Sequence, residues 1–153
     1  MSWANLDLSR TVERSFRAEK ASELTLPGAV VLLEGGVVGV IAAKIYAVEP
    51  MTLALISAAP MFANLSSFFW SKIAAGRSKV TIACLLQALI IACVVAVALV
   101  PSGDWGAFVL VSSMIASRVL LAGVVTVRSV IWSLNYARHQ RARATSQLQM
   151  INA

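Results

Sequence analysis

Three ionisable residues lie where the surrounding sequence is almost entirely apolar, and these residues are the best candidates in this chain to carry chemistry. Glu34 lies in one apolar stretch, and Arg118 and Arg128 lie together in another. A charge at the centre of a bilayer costs about 2.5 to 3.5 kcal/mol on insertion scales. Each of these residues therefore needs a partner or a wet cavity, and such residues commonly mark pathways for solutes or protons.

Depth indicates which of the three could meet. Glu34 follows Pro27 by seven residues and Arg128 precedes Leu134 by six, so both lie about 9 to 11 Å from the same end of their helices at 1.5 Å per residue. We interpret them either as an ion pair that joins two helices or as a proton-carrying glutamate with a movable arginine. Arg118 lies about 15 Å deeper and about 80° around the helix, which favours contact with a solute or a counter-ion.

The elements that must hold these residues are long apolar stretches. A hydrocarbon core of about 30 Å needs roughly 20 helical residues, and a helix satisfies its own backbone groups there. Of the 153 residues, 59% are hydrophobic and 13% charged. A soluble helical bundle is disfavoured because the third stretch leaves no polar face for water. We expect an all-α membrane protein with four spans, near residues 27–48, 51–71, 80–100 and 106–134.

Basic residues alternate between the predicted loops and indicate the orientation. They cluster before the first span, between the second and third, and after the fourth, while the other two loops are nearly bare. By the positive-inside rule, both termini are cytoplasmic and the chain is a multi-pass protein of the cell membrane, the inner membrane if the cell is Gram-negative. The net charge of +6 is dispersed among short loops, so we expect no nucleic-acid partner.

We therefore expect a cytoplasmic lead segment, 1–26, a membrane domain, 27–134, and a basic cytoplasmic loop, 135–153. In the lead segment Leu8, Val12 and Phe16 recur every four residues. This spacing favours an amphipathic helix on the cytoplasmic leaflet, with a solvated, frayed tail as the alternative.

Small and polar residues within the spans predict how the helices pack. Gly35 and Gly39, extended by Ala43, have the G-x-x-x-G spacing that lets a neighbouring helix approach closely. Pro60 should bend the second helix, and Asn64, one turn later, could donate a hydrogen bond to another helix. Trp70, Trp105 and Trp132 lie at the predicted membrane boundaries, as an aromatic belt requires.

Other chemistries lack the residues that they need. His139 is the single histidine, and no acidic cluster or metal-ligand spacing accompanies it. No serine has the histidine and acid that would activate it, and no glycine-rich phosphate motif is present. We expect neither an enzyme nor a bound cofactor or metal.

Three segments resemble the major facilitator superfamily. The loop from Ser71 to Lys79 is similar to that family's signature, G-x-L-A-D-R-x-G-R-[RK], and Gly76, Arg77 and Lys79 match it in type, although Ser71 replaces the first glycine and Ala75 the acid. Arg118 with the small residues that follow it resembles the arginine-plus-glycine pattern of the family's fourth helix. The segment 135–145 is similar to the basic loop before helix five of that family, so the resemblance implies that the loop 135–153 leads toward a missing fifth helix. The resemblance implies part of a twelve-helix fold, with helices one and four lining the cavity and helix three toward lipid.

Three functional hypotheses follow. The first is the amino-terminal portion of a secondary active transporter, which moves a small solute, with a proton as the possible coupling ion, by alternating access and is inactive without its remaining helices. The second is a self-contained, oligomeric, proton-coupled exporter resembling the small multidrug resistance family, in which Glu34 exchanges protons for a cationic drug. The third is a non-transporting membrane scaffold subunit, suggested by the G-x-x-x-G face. In each, the lipid bilayer is a partner.

Overall fold

A computed structural model describes residues 13, 16–17, 19–20, 36–99, 103–136 and 138–152. Within these residues the structure is helical and contains no strand. The described residues between 13 and 20 are helical, and the helices that follow are α1 (Gly36–Lys44), α2 (Pro50–Ala74), α3 (Lys79–Leu99), α4 (Asp104–Asn135) and α5 (Arg138–Asn152).

Three helices are long and apolar enough to cross a membrane: α2, α3 and α4, with 25, 21 and 32 residues. The prediction of an all-α chain with membrane-length helices is confirmed. The count of four spans stays a prediction, because the structure describes the first stretch only as α1, which has nine residues. Glu34 and Gly35 lie outside the described residues.

The turn after α1 ends that helix earlier than the sequence predicts, at Lys44 rather than near residue 48. Ala47 adopts a left-handed conformation with φ 45°, and the Val48 N–H donates to the Ala42 carbonyl at 3.1 Å. Pro50 then begins α2, where its fixed φ suits the first turn and its missing N–H costs nothing. The chain therefore reverses over a few residues.

The loop that resembles the family signature is a tight turn between α2 and α3. Gly76 has φ 71°, a left-handed conformation that glycine adopts without strain. The Ser78 hydroxyl accepts hydrogen bonds from the Thr81 N–H at 3.5 Å and the Thr81 hydroxyl at 3.0 Å, which caps the start of α3. Arg77 is exposed and Lys79 is the first residue of α3.

The chain divides into two compact units, a terminal unit of residues 1–30 with 130–153 and a membrane unit of residues 31–129. In the membrane unit, Ala42, Ile56 and Leu110 form a buried cluster at one end of the helices. Val97 packs against this cluster, so all four helices α1 to α4 contribute to it.

The terminal unit differs most from the sequence prediction. Where a basic loop is predicted, α5 forms an ordered helix of 15 residues. Ala144 and Leu148, one turn apart, are fully buried against Phe16 and Tyr136. Tertiary contact stabilises a helix that the polar sequence of α5 does not suggest by periodicity, because only a narrow apolar face is needed.

The lead segment is helical at its described residues, and Phe16 is the only one of its three periodic apolar residues that the structure describes. Phe16 is only 7% exposed, and its ring meets the Tyr136 ring edge-on at 6.2 Å between centroids. Phe16 therefore packs in the core of the terminal unit, and the contact of the lead segment with the leaflet stays a prediction.

Candidate functional site

Arg118 is the charged residue that the structure buries most clearly within a helix of membrane length. It is 8% exposed and lies near the middle of α4, about 21 Å along the axis from Asp104. The neighbouring Ser117 is 1% exposed, and its hydroxyl donates to the Ser113 carbonyl at 2.6 Å. Arg118 and Ser117 are therefore both buried near the middle of α4.

The spacing of buried residues along α4 explains why Arg118 faces inward. Leu110, Met114, Ser117 and Val124 are all buried and lie within a narrow sector at 100° per residue. Arg118 follows Met114 by four residues, about 40° around the helix, and lies on the margin of that sector.

Arg128 lies ten residues further along α4 and is half-buried. It points about 80° away from Arg118, close to the direction of Leu110 and Ser117. Its predicted partner, Glu34, lies outside the described residues, so the ion pair between them stays a prediction.

Trp70 and Gly123 join α2 to α4 beside Arg118, a contact that sequence reasoning missed. The Trp70 indole N–H donates to the Val119 carbonyl at 2.9 Å. A Cβ on Gly123 would lie 2.9 Å from two carbons of the Trp70 ring and 3.0 Å from Leu86 Cδ1. Only glycine therefore lets the indole and the α3 leucine pack this closely, and the small residues after Arg118 were the signal that could have found it.

The tryptophans thus serve different purposes. Trp70 is half-buried and hydrogen-bonds to α4, and its role as an interfacial anchor stays a prediction. Trp105 is 69% exposed and stacks on Phe108 at 5.7 Å between centroids, an arrangement compatible with an aromatic belt. Trp132 packs against the core of the terminal unit.

Most of the residues predicted to pack helices together make no close contact with another helix in the described part of the chain. A Cβ on Gly39 would meet nothing within 4 Å, and Ala43 is exposed. Pro60 lies inside α2, and Pro60 and Asn64 are both exposed. Among the described residues this face of α1 has no close neighbour at Gly39, because α2 packs on the side that carries Ala42.

An open groove of about 340 Å³ lies at the end of the membrane unit near the start of α2. Two exposed carboxylates, Glu49 and Asp104, line it together with Tyr46 and Phe108. Each carboxylate lies at the start of a helix, where negative charge is favourable. The groove is therefore acidic and lies at the opposite end of α2 from the basic loop at residues 75–78.

Two hydrogen bonds in the terminal unit join separate segments of the chain. The Tyr136 hydroxyl donates to the Glu19 carboxylate at 2.9 Å. Burial raises the pKa of Tyr136, and the hydrogen bond to Glu19 and the negative charge of Glu19 raise it further. Arg141 donates to the Ser133 carbonyl at 2.8 Å, one of the carbonyls that the end of α4 leaves without a partner in its own helix.

Similarity to known proteins adds nothing to this geometry. No family model, no curated protein and no solved structure matched the chain. The burial of Arg118 and the contacts of α4 are therefore the observations that bear on function.

Proposed function

We propose that this chain is the amino-terminal part of a secondary transporter of the major facilitator type, which moves a small solute by alternating access. The observation that carries the proposal is the burial of Arg118 at the middle of α4, a helix long and apolar enough to cross a membrane. A buried intramembrane arginine is costly and is retained where it binds a solute or balances a charge on the pathway.

Each charged residue has a role in this proposal. Arg118 contacts an anionic group of the solute or acts as the counter-charge of a proton site. Glu34 carries a proton or pairs with Arg128, which is nearer the end of α4. Trp70 fixes α2 against α4 at Val119, the residue after Arg118, and at Gly123, five residues after Arg118.

The contact between the two ends of the chain supports the proposed topology. Phe16 and Glu19 both contact Tyr136 within the terminal unit. Residues that touch one another lie on one side of a membrane, so an even number of crossings must separate them. With α2, α3 and α4 as crossings, this contact supports the stretch 27–48 as the fourth crossing, and the basic loops support a cytoplasmic location for the shared side.

The decisive experiment replaces Arg118 in a protein extended by whatever coding sequence follows Ala153. We expect eight further spans downstream, and Arg118→Ala to abolish solute flux in vesicles while the protein still inserts. Lys44→Ala, which removes an exposed basic residue at the end of α1, is the control and should retain flux. Full transport by Arg118→Ala, or a stop codon directly after Ala153, would contradict the proposal. The 153-residue chain reconstituted without further helices should carry no flux.

A scaffold subunit is the second candidate, and one observation favours it. The side of α1 that carries Gly39 and Ala43 is open in the described residues, and small residues on a membrane helix let another helix approach closely. Crosslinking from Ala43→Cys to a larger complex, together with an absence of flux from the extended chain, would favour this reading over transport.

A further inference from the structure

The turn between α2 and α3 carries the closest grouping of basic residues in the membrane unit. Lys72, Arg77 and Lys79 fall within eight residues, and no aspartate or glutamate occurs in the sequence between Glu49 and Asp104. Among the residues that the structure describes, no carboxylate forms an ion pair or a hydrogen bond with any of these three side chains. Their positive charge is therefore not neutralised by the described chain itself.

Apolar side chains lie directly beside these charges. Lys72 follows Phe68 by four residues and Phe69 by three, so all three residues lie on one side of α2. Both phenylalanines are exposed, as are Ile73 and Val80. The Lys72 ammonium lies 4.4 Å from the centroid of the Phe68 ring. A cationic surface and an exposed apolar surface are therefore continuous at this end of α2.

The position of the turn gives this surface its surroundings. α2 ends at Ala74 and α3 begins at Lys79, and both helices are long and apolar enough to cross a membrane. A turn between two such helices lies where the hydrocarbon gives way to the lipid headgroups. The cations then lie at the depth of the headgroups, and the rings of α2 lie at the depth of the acyl chains.

We propose that Lys72, Arg77 and Lys79 bind the phosphate headgroup of an anionic membrane lipid, whose acyl chain lies on the exposed rings of α2. A guanidinium donates two parallel hydrogen bonds to a phosphate, and an ammonium binds it as a point charge. An acidic segment of a soluble protein would match the charges but leave Phe68 and Phe69 uncovered, so a ligand with an anionic head and an apolar tail fits better. This inference goes beyond the proposed function, because it requires α2 and α3 to lie in a membrane and requires no transport.

The first test measures which lipids the purified whole chain retains in native mass spectrometry. The chain is released from micelles that contain equal amounts of phosphatidylglycerol and phosphatidylcholine with identical acyl chains. We expect preferential retention of phosphatidylglycerol. A basic residue near an anionic lipid contributes about fivefold in affinity, so Lys72→Gln with Arg77→Gln should lower this preference by about 25-fold.

A charge-matched variant separates a site from a general effect of net charge. Lys44→Gln with Arg138→Gln removes two positive charges at exposed positions outside the turn and should leave the preference unchanged. Equal losses in the two double variants would show that net charge alone attracts the lipid. That result, or a preference that neither variant lowers, would overturn the site.

The second test locates the lipid on the unaltered chain and so does not depend on the folding of any variant. Phosphatidylglycerol with a photoreactive group on the acyl chain close to the headgroup should label the segment 68–80. Excess unlabelled phosphatidylglycerol should suppress this labelling, and the same excess of phosphatidylcholine should not. Labelling concentrated elsewhere would overturn the site, and suppression by inorganic phosphate would assign the cations to a free anion instead.

These outcomes are separate from the test of transport. Normal flux by Arg118→Ala would remove the transport assignment and leave the lipid site standing. Loss of flux in that variant, together with equal retention of the two lipids by the unaltered chain, would overturn the lipid site alone.

Discussion

Gly123 is the residue whose identity the structure explains most directly. Its missing side chain lets the Trp70 indole lie on α4 and donate to the Val119 carbonyl. By contrast, no atom of the described part of the chain lies within 4 Å of a Cβ placed on Gly39. The two glycines lie in apolar stretches of similar appearance, yet only one of them is required by close packing.

Gly123→Ala should therefore lower the free energy of unfolding by about 1 to 3 kcal/mol, because the new methyl group overlaps two ring carbons of Trp70 and the end of Leu86. Gly39→Ala should be neutral or stabilising, since alanine is the better helix former and meets no neighbour. Unfolding in detergent, followed by circular dichroism, measures both. Equal stabilities of the two variants would show that Trp70 does not pack against α4 as described.

Tyr136 should titrate abnormally because its environment favours the neutral phenol. Burial, the hydrogen bond to Glu19 and the charge of Glu19 raise its pKa above the usual 10.0. Since the folded pKa lies above the unfolded one, the stabilising contribution is complete below pH 10 and declines as the pH rises through the folded pKa. The ultraviolet difference titration between the native protein and Tyr136→Phe should show ionisation displaced above pH 10. A step at the usual pKa would mean that Tyr136 is exposed.

At the scale of elements, the carboxyl end of α4 lies next to the amino end of α5, because two residues separate the two helices. The first turn of α5 carries Arg138 and Arg141 and no acid, which the positive end of a helix dipole disfavours. Arg141 offsets this by donating to the Ser133 carbonyl at the negative end of α4.

Arg141→Met should therefore weaken the junction by about 1 to 2 kcal/mol, because it keeps most of the stem but removes a charged hydrogen bond. Arg138→Met, at an exposed position in the same turn, should be neutral or slightly stabilising because it removes only an unfavourable charge. Hydrogen exchange at the start of α5 compares the two. Similar protection in both variants would exclude Arg141 as the cap.

For the whole molecule, the count of crossings depends on the stretch 27–48. The contact of Phe16 and Glu19 with Tyr136 supports an even number of crossings between them. Compartment-sensitive reporters fused before Met1 and after Ala153 should therefore report the same, cytoplasmic side, and one inserted after Gly103 should report the other. Opposite compartments for the two ends would contradict the four-span topology.

Sequence patterns predicted the three long helices to within a few residues at each end. Lipid requires about 20 apolar residues in a self-satisfied helix, so α2, α3 and α4 are encoded by local composition alone. The exposure of α3 was predictable from its uniformly apolar composition, and only 6% of its apolar window is buried in the structure. The burial of Arg118 could be anticipated because charge in such a stretch must face inward.

The sequence by itself therefore determined that the chain forms long apolar helices suited to lipid and that one of them carries two arginines. Both features depend only on residues that are neighbours along the chain. Only the tertiary structure decided that Trp70 packs against Gly123, that α5 is a helix and that Glu19 meets Tyr136. The hydrogen bonds from Trp70 to Val119 and from Tyr136 to Glu19 join residues 49 and 117 positions apart. No local pattern specifies such contacts, since they exist only where the fold brings separate helices within hydrogen-bond and van der Waals distance.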